Sequence, residues 1–129
     1  MMDQIFQLSS LLVMPFWAIM IFLPDWRWTR RTIASPLIAL PAALLYAALF
    51  LPQALSLLPA LMDPSLAEIG TLLGTPTGAT IAWIHFLAFD LFVGRWVYLD
   101  ARQRSMTAWL VSPILFFVLM AGPLGFTLY

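Results

Sequence analysis

A chain of 129 residues with 63% hydrophobic and only 9% charged side chains cannot supply the charged shell that a soluble fold this small needs. Six arginines, no lysine and six acids leave zero net charge, which offers no reason to expect nucleic acid. Cysteine is absent, so disulfides, thiolate metal sites and cysteine nucleophiles are excluded. The composition reads as an all-α polytopic membrane protein: a single domain of four transmembrane helices, with a short interfacial helix in the middle loop.

The opening MMDQIFQLSS has neither the basic region and cleavage site of a signal peptide nor the Arg- and Ser-rich character of a transit peptide. The first hydrophobic segment therefore reads as a retained helix. A spanning helix needs about 20 mainly apolar residues, and residues 5–23 supply one, with Pro15 as a tolerated kink. Pro24-Asp25 ends it, and DWRWTRR follows as a basic loop whose Trp26 and Trp28 suit the headgroup level. Ser35-Pro36 opens a second span over 36–51, with Pro41 in its first turns.

Between 52 and 77, Pro52, Pro59, Pro64 and Pro76 interrupt the chain. Asp63-Pro64 reads as an N-cap followed by proline at the first helical position. It would start a short helix that places Leu66, Ile69 and Leu73 on one side, stops at Gly74 and lies on the membrane surface. Thr75-Pro76 repeats the start signal and launches a third span over 78–100, running on to about Ala101. A fourth, over 107–128, is entered through Trp109 and Ser112-Pro113 and ends in the Gly-Pro-Leu-Gly break at 122–125.

The arginines lie in the first loop (Arg27, Arg30, Arg31), at the end of the third helix (Arg95) or in the third loop (Arg102, Arg104), whereas the middle loop holds Asp63 and Glu68. By the positive-inside rule, loops one and three are cytoplasmic, and both termini and the middle loop are non-cytoplasmic. Asp25-Trp26-Arg27 with Ser35-Pro36 also echoes Asp100-Ala101-Arg102 with Ser112-Pro113. Two parallel hairpins would give this echo, as would the common chemistry of loops and helix starts.

The third helix carries the chain's one histidine, His85, then Asp90 and Arg95, at five-residue intervals. Five residues are about 140° of rotation and about 7.5 Å of rise, so consecutive members face different sides of the helix. An ionised aspartate at mid-membrane costs about 2.5–3.5 kcal/mol. Asp90 therefore stays protonated, as a general acid, or finds a donor on another helix, as a general base. His85 can do either near neutral pH, and Arg95 suits an anion clamp or a fixed carboxylate partner. Against these stand plainer readings, in which Arg95 snorkels to the headgroups and His85 bonds an inter-helix carbonyl. Asp90 is the strongest of the three, because intramembrane carboxylates face the bundle interior.

Around the trio, Trp83, Phe86, Phe89, Phe92, Trp96 and Tyr98 could line a flat apolar pocket, pack a bundle or meet lipid, and Gly94 admits a close neighbour. Trp83, Phe86, Phe89, Gly94 and Trp96 are the substrate-binding candidates. One histidine and scattered acids argue against haem or metal, and no cofactor is expected.

WIHFLAFDLFVGRWVYLDAR, at 83–102, resembles the signature of the neoxanthin synthase family, the abscisic-acid-deficient-type membrane proteins. LLVMPFWAIMIFLPDWRWTRR and SPILFFVLMAGPLG resemble the same family's flanking helices, so the likeness covers nearly the whole chain. Plant members act in converting violaxanthin to neoxanthin, an isomerisation that opens an epoxide and leaves an allene. The resemblance implies a polyene substrate dissolved in the bilayer and no net redox change. An acid is needed at the epoxide oxygen and a base for the polyene proton. Asp90, His85 and Arg95 are the catalytic candidates on matching positions, with acid and base unassigned between Asp90 and His85.

Without the plant members' transit peptide and extra amino-terminal length, the sequence suggests a bacterial relative in the cytoplasmic (inner) membrane. Expected partners are membrane lipid, a carotenoid or isoprenoid substrate, and a second copy in a homo-oligomer. The leading function is an isomerase-like membrane enzyme; the alternative is a non-catalytic lipid- or pigment-binding protein or assembly factor. A pore is disfavoured, because polar groups outside the third helix are mainly Gln4, Gln7, Ser9 and Ser10 at one end.

Overall fold

The computed structural model describes residues Met1–Tyr129 and is helical throughout, without strands. Helix α1 (Met2–Phe22) accommodates Pro15 in its interior. Thr29 then donates its hydroxyl to the Leu23 carbonyl at 2.7 Å, pinning the start of α2 (Arg27–Ala34) beneath α1. Ser35, preceding Pro36, is held extended and ends α2, since a residue before proline avoids the helical region.

A 3₁₀ turn over Pro36–Ala39 leads into α3 (Leu40–Phe50), and a second over Leu51–Gln53 leads into α4 (Ala54–Met62). Pro52 does not break the run. It falls at the start of that 3₁₀ turn, where its missing N–H is tolerated, so an apolar helical rod continues from Pro36 to Met62. The loop expected from residue 52 therefore begins only after Met62.

Asp63 terminates α4 and is not free to cap the next helix. Ser65 caps α5 (Leu66–Leu73) instead: its hydroxyl accepts from the Glu68 N–H at 3.2 Å and donates to the Glu68 carboxylate at 2.8 Å. Thr75 caps α6 (Pro76–Gln103) by accepting from the Gly78 N–H, and Pro76 takes the first turn. With no internal proline, α6 runs for 28 residues, about 42 Å.

Helix α6 is the axis of the molecule. Phe6 stacks on Trp83 near one end, and the Tyr98 hydroxyl bonds the Pro24 carbonyl near the other, so α1 lies parallel to α6. Tyr46 faces His85 while Ile33 and Ala34 meet Arg95, so α3 is antiparallel. The packed core gathers in the half toward the Arg95 end, around Trp17, Met20, Leu91, Tyr98, Leu115 and Val118. Trp17 rests against Gly94, where a Cβ would overlap its indole.

Three runs are long and apolar enough to cross a membrane: Met2–Phe22, Pro36–Met62 and Pro76–Gln103. The fourth apolar stretch falls short of that length. Helix α7 (Ala108–Met120) has 13 residues, about 20 Å against a hydrocarbon core of about 30 Å, and it stops at Ala121. Helix α8 (Gly122–Leu128) then doubles back. Gly125 lies on the α7 backbone at Phe117 and Val118, Phe126 packs on Trp96, and the Tyr129 hydroxyl donates to Asp100. Gly122, at the tip, meets Asp90 halfway along α6. Three runs of spanning length are therefore found where four were expected, and the Gly-Pro-Leu-Gly sequence is where the chain reverses. It also separates the ends of the chain, with Met1 toward one end of α6 and Tyr129 at the other.

Candidate functional site

The members of the His85, Asp90 and Arg95 trio go to three different helices. Arg95 donates from Nε to the Ile33 carbonyl at 2.9 Å and from Nη2 to the Ala34 carbonyl at 2.6 Å. These are carbonyls at the end of α2, which a helix leaves without internal partners, and a cation there also favours the helix dipole. Arg95 is thus a clasp between α6 and the first loop. Asp90, half-buried, sets its carboxylate against Gly122, the one residue type without a Cβ to collide with it.

His85 faces a cavity. It is exposed to a chamber of about 250 Å³ between α3–α4 and α6, whose other walls include Tyr46, Phe50, Gln53, Leu57 and Phe86. Leu72 and Leu73 of the short α5, with Thr75 at the cap of α6, line its remaining side. The imidazole centroid lies 5.6 Å from the Tyr46 ring, 4.8 Å from Phe89 and 6.1 Å from Phe86. Below it, Ala39, Ala43, Ala88, Phe89 and Phe92 line a second hollow of about 250 Å³ on the same seam. Phe89 belongs to both surroundings.

The local sequence explains this seam. Gly78, Ala82, His85, Phe89 and Phe92 follow helical spacing down one face of α6, and Tyr46, Phe50, Gln53 and Leu57 do so on the opposing rod. The second set is continuous because Pro52 sits in the 3₁₀ turn. Gln53 steadies that turn by donating to the Leu49 carbonyl at 3.1 Å. Between Thr75 and Phe92 the two hollows extend about 25 Å along α6. Each is below the about 300–1,000 Å³ typical of a pocket that encloses a whole drug-sized ligand, so the shape suits an elongated molecule with one end group in the chamber.

Of the five substrate-binding candidates, Phe86 and Phe89 flank His85. Trp83 turns away, stacking on Phe6 at 5.2 Å and donating from Nε1 to the Ser10 hydroxyl at 3.1 Å. Gly94 is buried under Trp17, and Trp96 packs on Phe126 and Tyr129. Tyr46 and Gln53 were missed from the sequence; the helical spacing from Tyr46 to Leu57 carried the signal, hidden by reading a break at Pro52. No group of three His, Asp or Glu residues comes together to hold a metal ion.

At the rim beside Tyr129, Asp100 accepts from Tyr129 and pairs with Arg104, while Arg102 pairs with Asp25. Burial, and then the hydrogen bond to Asp100, push the Tyr129 phenol up to about 12.

A family model described as ABA DEFICIENT 4-like matches residues 4–129. The chain belongs to this family. Among curated proteins it is similar to Protein ABA DEFICIENT 4, chloroplastic, of Arabidopsis thaliana, at 28% identity over 110 residues, covering 81% of this chain and 50% of that protein. The chain thus spans about half the length of this relative. No solved structure matches it. The family match takes in α1 through α8, so the His85 seam and the reversing hairpin both lie within the family's extent.

Proposed function

We propose that this family member spans a membrane and takes one end of a carotenoid, or another elongated isoprenoid, into the His85 chamber. There it acts as an isomerase of the violaxanthin-to-neoxanthin type. The seam carries the reading: an aromatic chamber with few polar groups and a separate apolar hollow beside it, the two lying within about 25 Å along α6. Tyr46 and His85 are the proton-active pair. The acid delivers a proton to the epoxide oxygen as the C–O bond opens, the base takes one from the polyene carbon, and the freed electrons form the new C=C bond. One proton leaves carbon and one arrives on oxygen, so nothing is oxidised or reduced. Asp90 and Arg95 are positioning residues here, holding the hairpin tip and the first loop. The loops with arginines face the cytoplasm of a bacterial inner membrane, the amino terminus lies outside and Tyr129 inside.

A second reading, pigment binding without turnover, is favoured by the absence of any carboxylate from the chamber walls. Expression in a host that accumulates epoxy-carotenoids separates the two, with bound and converted pigment read by chromatography. The isomerase reading expects conversion by the wild type. His85→Ala and Tyr46→Phe should each lower it about 100-fold or more, the usual contribution of a general acid or base, with pigment still co-purifying. Pigment bound but never converted would establish the binding reading. Conversion untouched by both substitutions would remove the two residues from catalysis.

A further inference from the structure

Zero net charge conceals a lopsided distribution. Arg95 is spent on backbone carbonyls, Arg102 on Asp25 and Arg104 on Asp100. The remaining cations, Arg27, Arg30 and Arg31, are all exposed on α2 and take part in no ion pair. Two of them are already arranged. The guanidinium carbons of Arg27 and Arg31 lie 5.3 Å and 5.7 Å from the centroid of the same Trp28 ring. The three residues line a cleft of about 240 Å³.

We propose that this Arg27–Trp28–Arg31 cleft binds the phosphate of an anionic membrane lipid. A guanidinium presents paired N–H donors that match phosphate oxygens bidentately. Stacking against the indole orients both arginines beforehand, which lowers the rotamer entropy lost on binding. The surroundings select a lipid over a free phosphate. Trp26, Trp28, Leu23 and Leu37 are exposed around α2, an apolar collar suited to acyl chains. Thr29 and Ile33 are buried, so the helix is pinned with its arginines outward at the foot of α1. Tryptophan belongs at the headgroup level, and basic clusters just beyond a spanning helix attract anionic lipid. The inference rests on the reading that α1 and the Pro36–Met62 rod span the bilayer.

The test is native mass spectrometry of the intact protein in mild detergent, titrated with phosphatidylglycerol, phosphatidylcholine or inorganic phosphate. The expected result is a retained phosphatidylglycerol adduct, no equivalent phosphatidylcholine adduct, and no competition from millimolar inorganic phosphate. The double substitution Arg27→Gln/Arg31→Gln should weaken the adduct about 30-fold, as two arginines near an anionic surface imply. Arg104→Gln, at the other basic loop, should leave it unchanged. Equal retention by the double variant, or equal binding of both lipids, overturns the site while leaving the spanning reading intact. Competition by inorganic phosphate overturns the assignment to a lipid. Failure of both lipids to adhere to the wild type overturns both the site and the spanning reading.

Discussion

Replacing Gly122 by alanine places a methyl group where the Asp90 carboxylate lies. The new Cβ would stand 2.8 Å from Cγ and 3.3 Å from Oδ2, and closer still to Oδ1. Comfortable contact needs about 3.5–4.0 Å. Either the aspartate leaves its rotamer, at about 0.5–1.5 kcal/mol, or the hairpin tip retreats, at about 1–3 kcal/mol. The loss should therefore be about 2 kcal/mol, or roughly 8 °C in Tm at about 4 °C per kcal/mol for a chain of this size. Backbone strain adds nothing, because no glycine in the chain has a positive φ.

The decisive comparison is a double-mutant cycle. In an Asp90→Ala background the obstructing carboxylate is gone, and Gly122→Ala should become neutral or gain about 0.5 kcal/mol from the reduced backbone entropy of the unfolded chain. The coupling between the two sites should reach about 2 kcal/mol, read by unfolding of the detergent-solubilised protein. Penalties that add within about 0.5 kcal/mol in both backgrounds would refute the contact, and with it the placement of the hairpin tip beside Asp90.

Arg95→Gln removes two charge-assisted bonds to α2, so unfolding in detergent should show a loss of about 3 kcal/mol or more, with Arg95→Lys recovering part of it. Pigment binding per folded molecule should be unchanged in both variants, since Arg95 lies outside the chamber. Tyr129 gives a pH dependence with a definite sign. Its phenol is raised to about 12 in the fold against about 10 unfolded, so its contribution is fully present below about pH 10 and disappears as pH rises through about 12. Phenolate absorbance should lose its latest-titrating component in Tyr129→Phe, and that variant should lack the matching alkaline loss of stability.

The elements written in local chemistry were legible in the sequence. Thr75-Pro76 marked the start of α6, the absence of proline allowed its length, and Gly74 closed α5. Pro52 and the Gly-Pro-Leu-Gly stretch misled because a breaking residue states that hydrogen bonding is interrupted but says nothing about direction. At Pro52 a single 3₁₀ turn absorbs the missing donor and the rod goes on. At Gly122 the chain reverses, through contacts between Gly125 and the α7 backbone and between Tyr129 and Asp100, residues 29 positions apart. For Arg95 the sequence conveyed its place near the end of α6, while its partners were carbonyls 61 and 62 positions away. The spacing of His85, Asp90 and Arg95 did foretell that they would face different neighbours.

A hairpin that stops halfway leaves the two ends of α6 in unequal company. Beside Trp17, Tyr98 and Leu115 the bundle is solid, whereas the α7–α8 hairpin does not reach His85, and on the proposed spanning reading the chamber wall there would stand open to acyl chains. A solute travelling within the bilayer would therefore enter from one leaflet only. A long polyene with identical ends could offer the chamber just one of them at a time. Doorway placement alone would then make the chemistry single-ended, with no residue needed to tell the two ends apart.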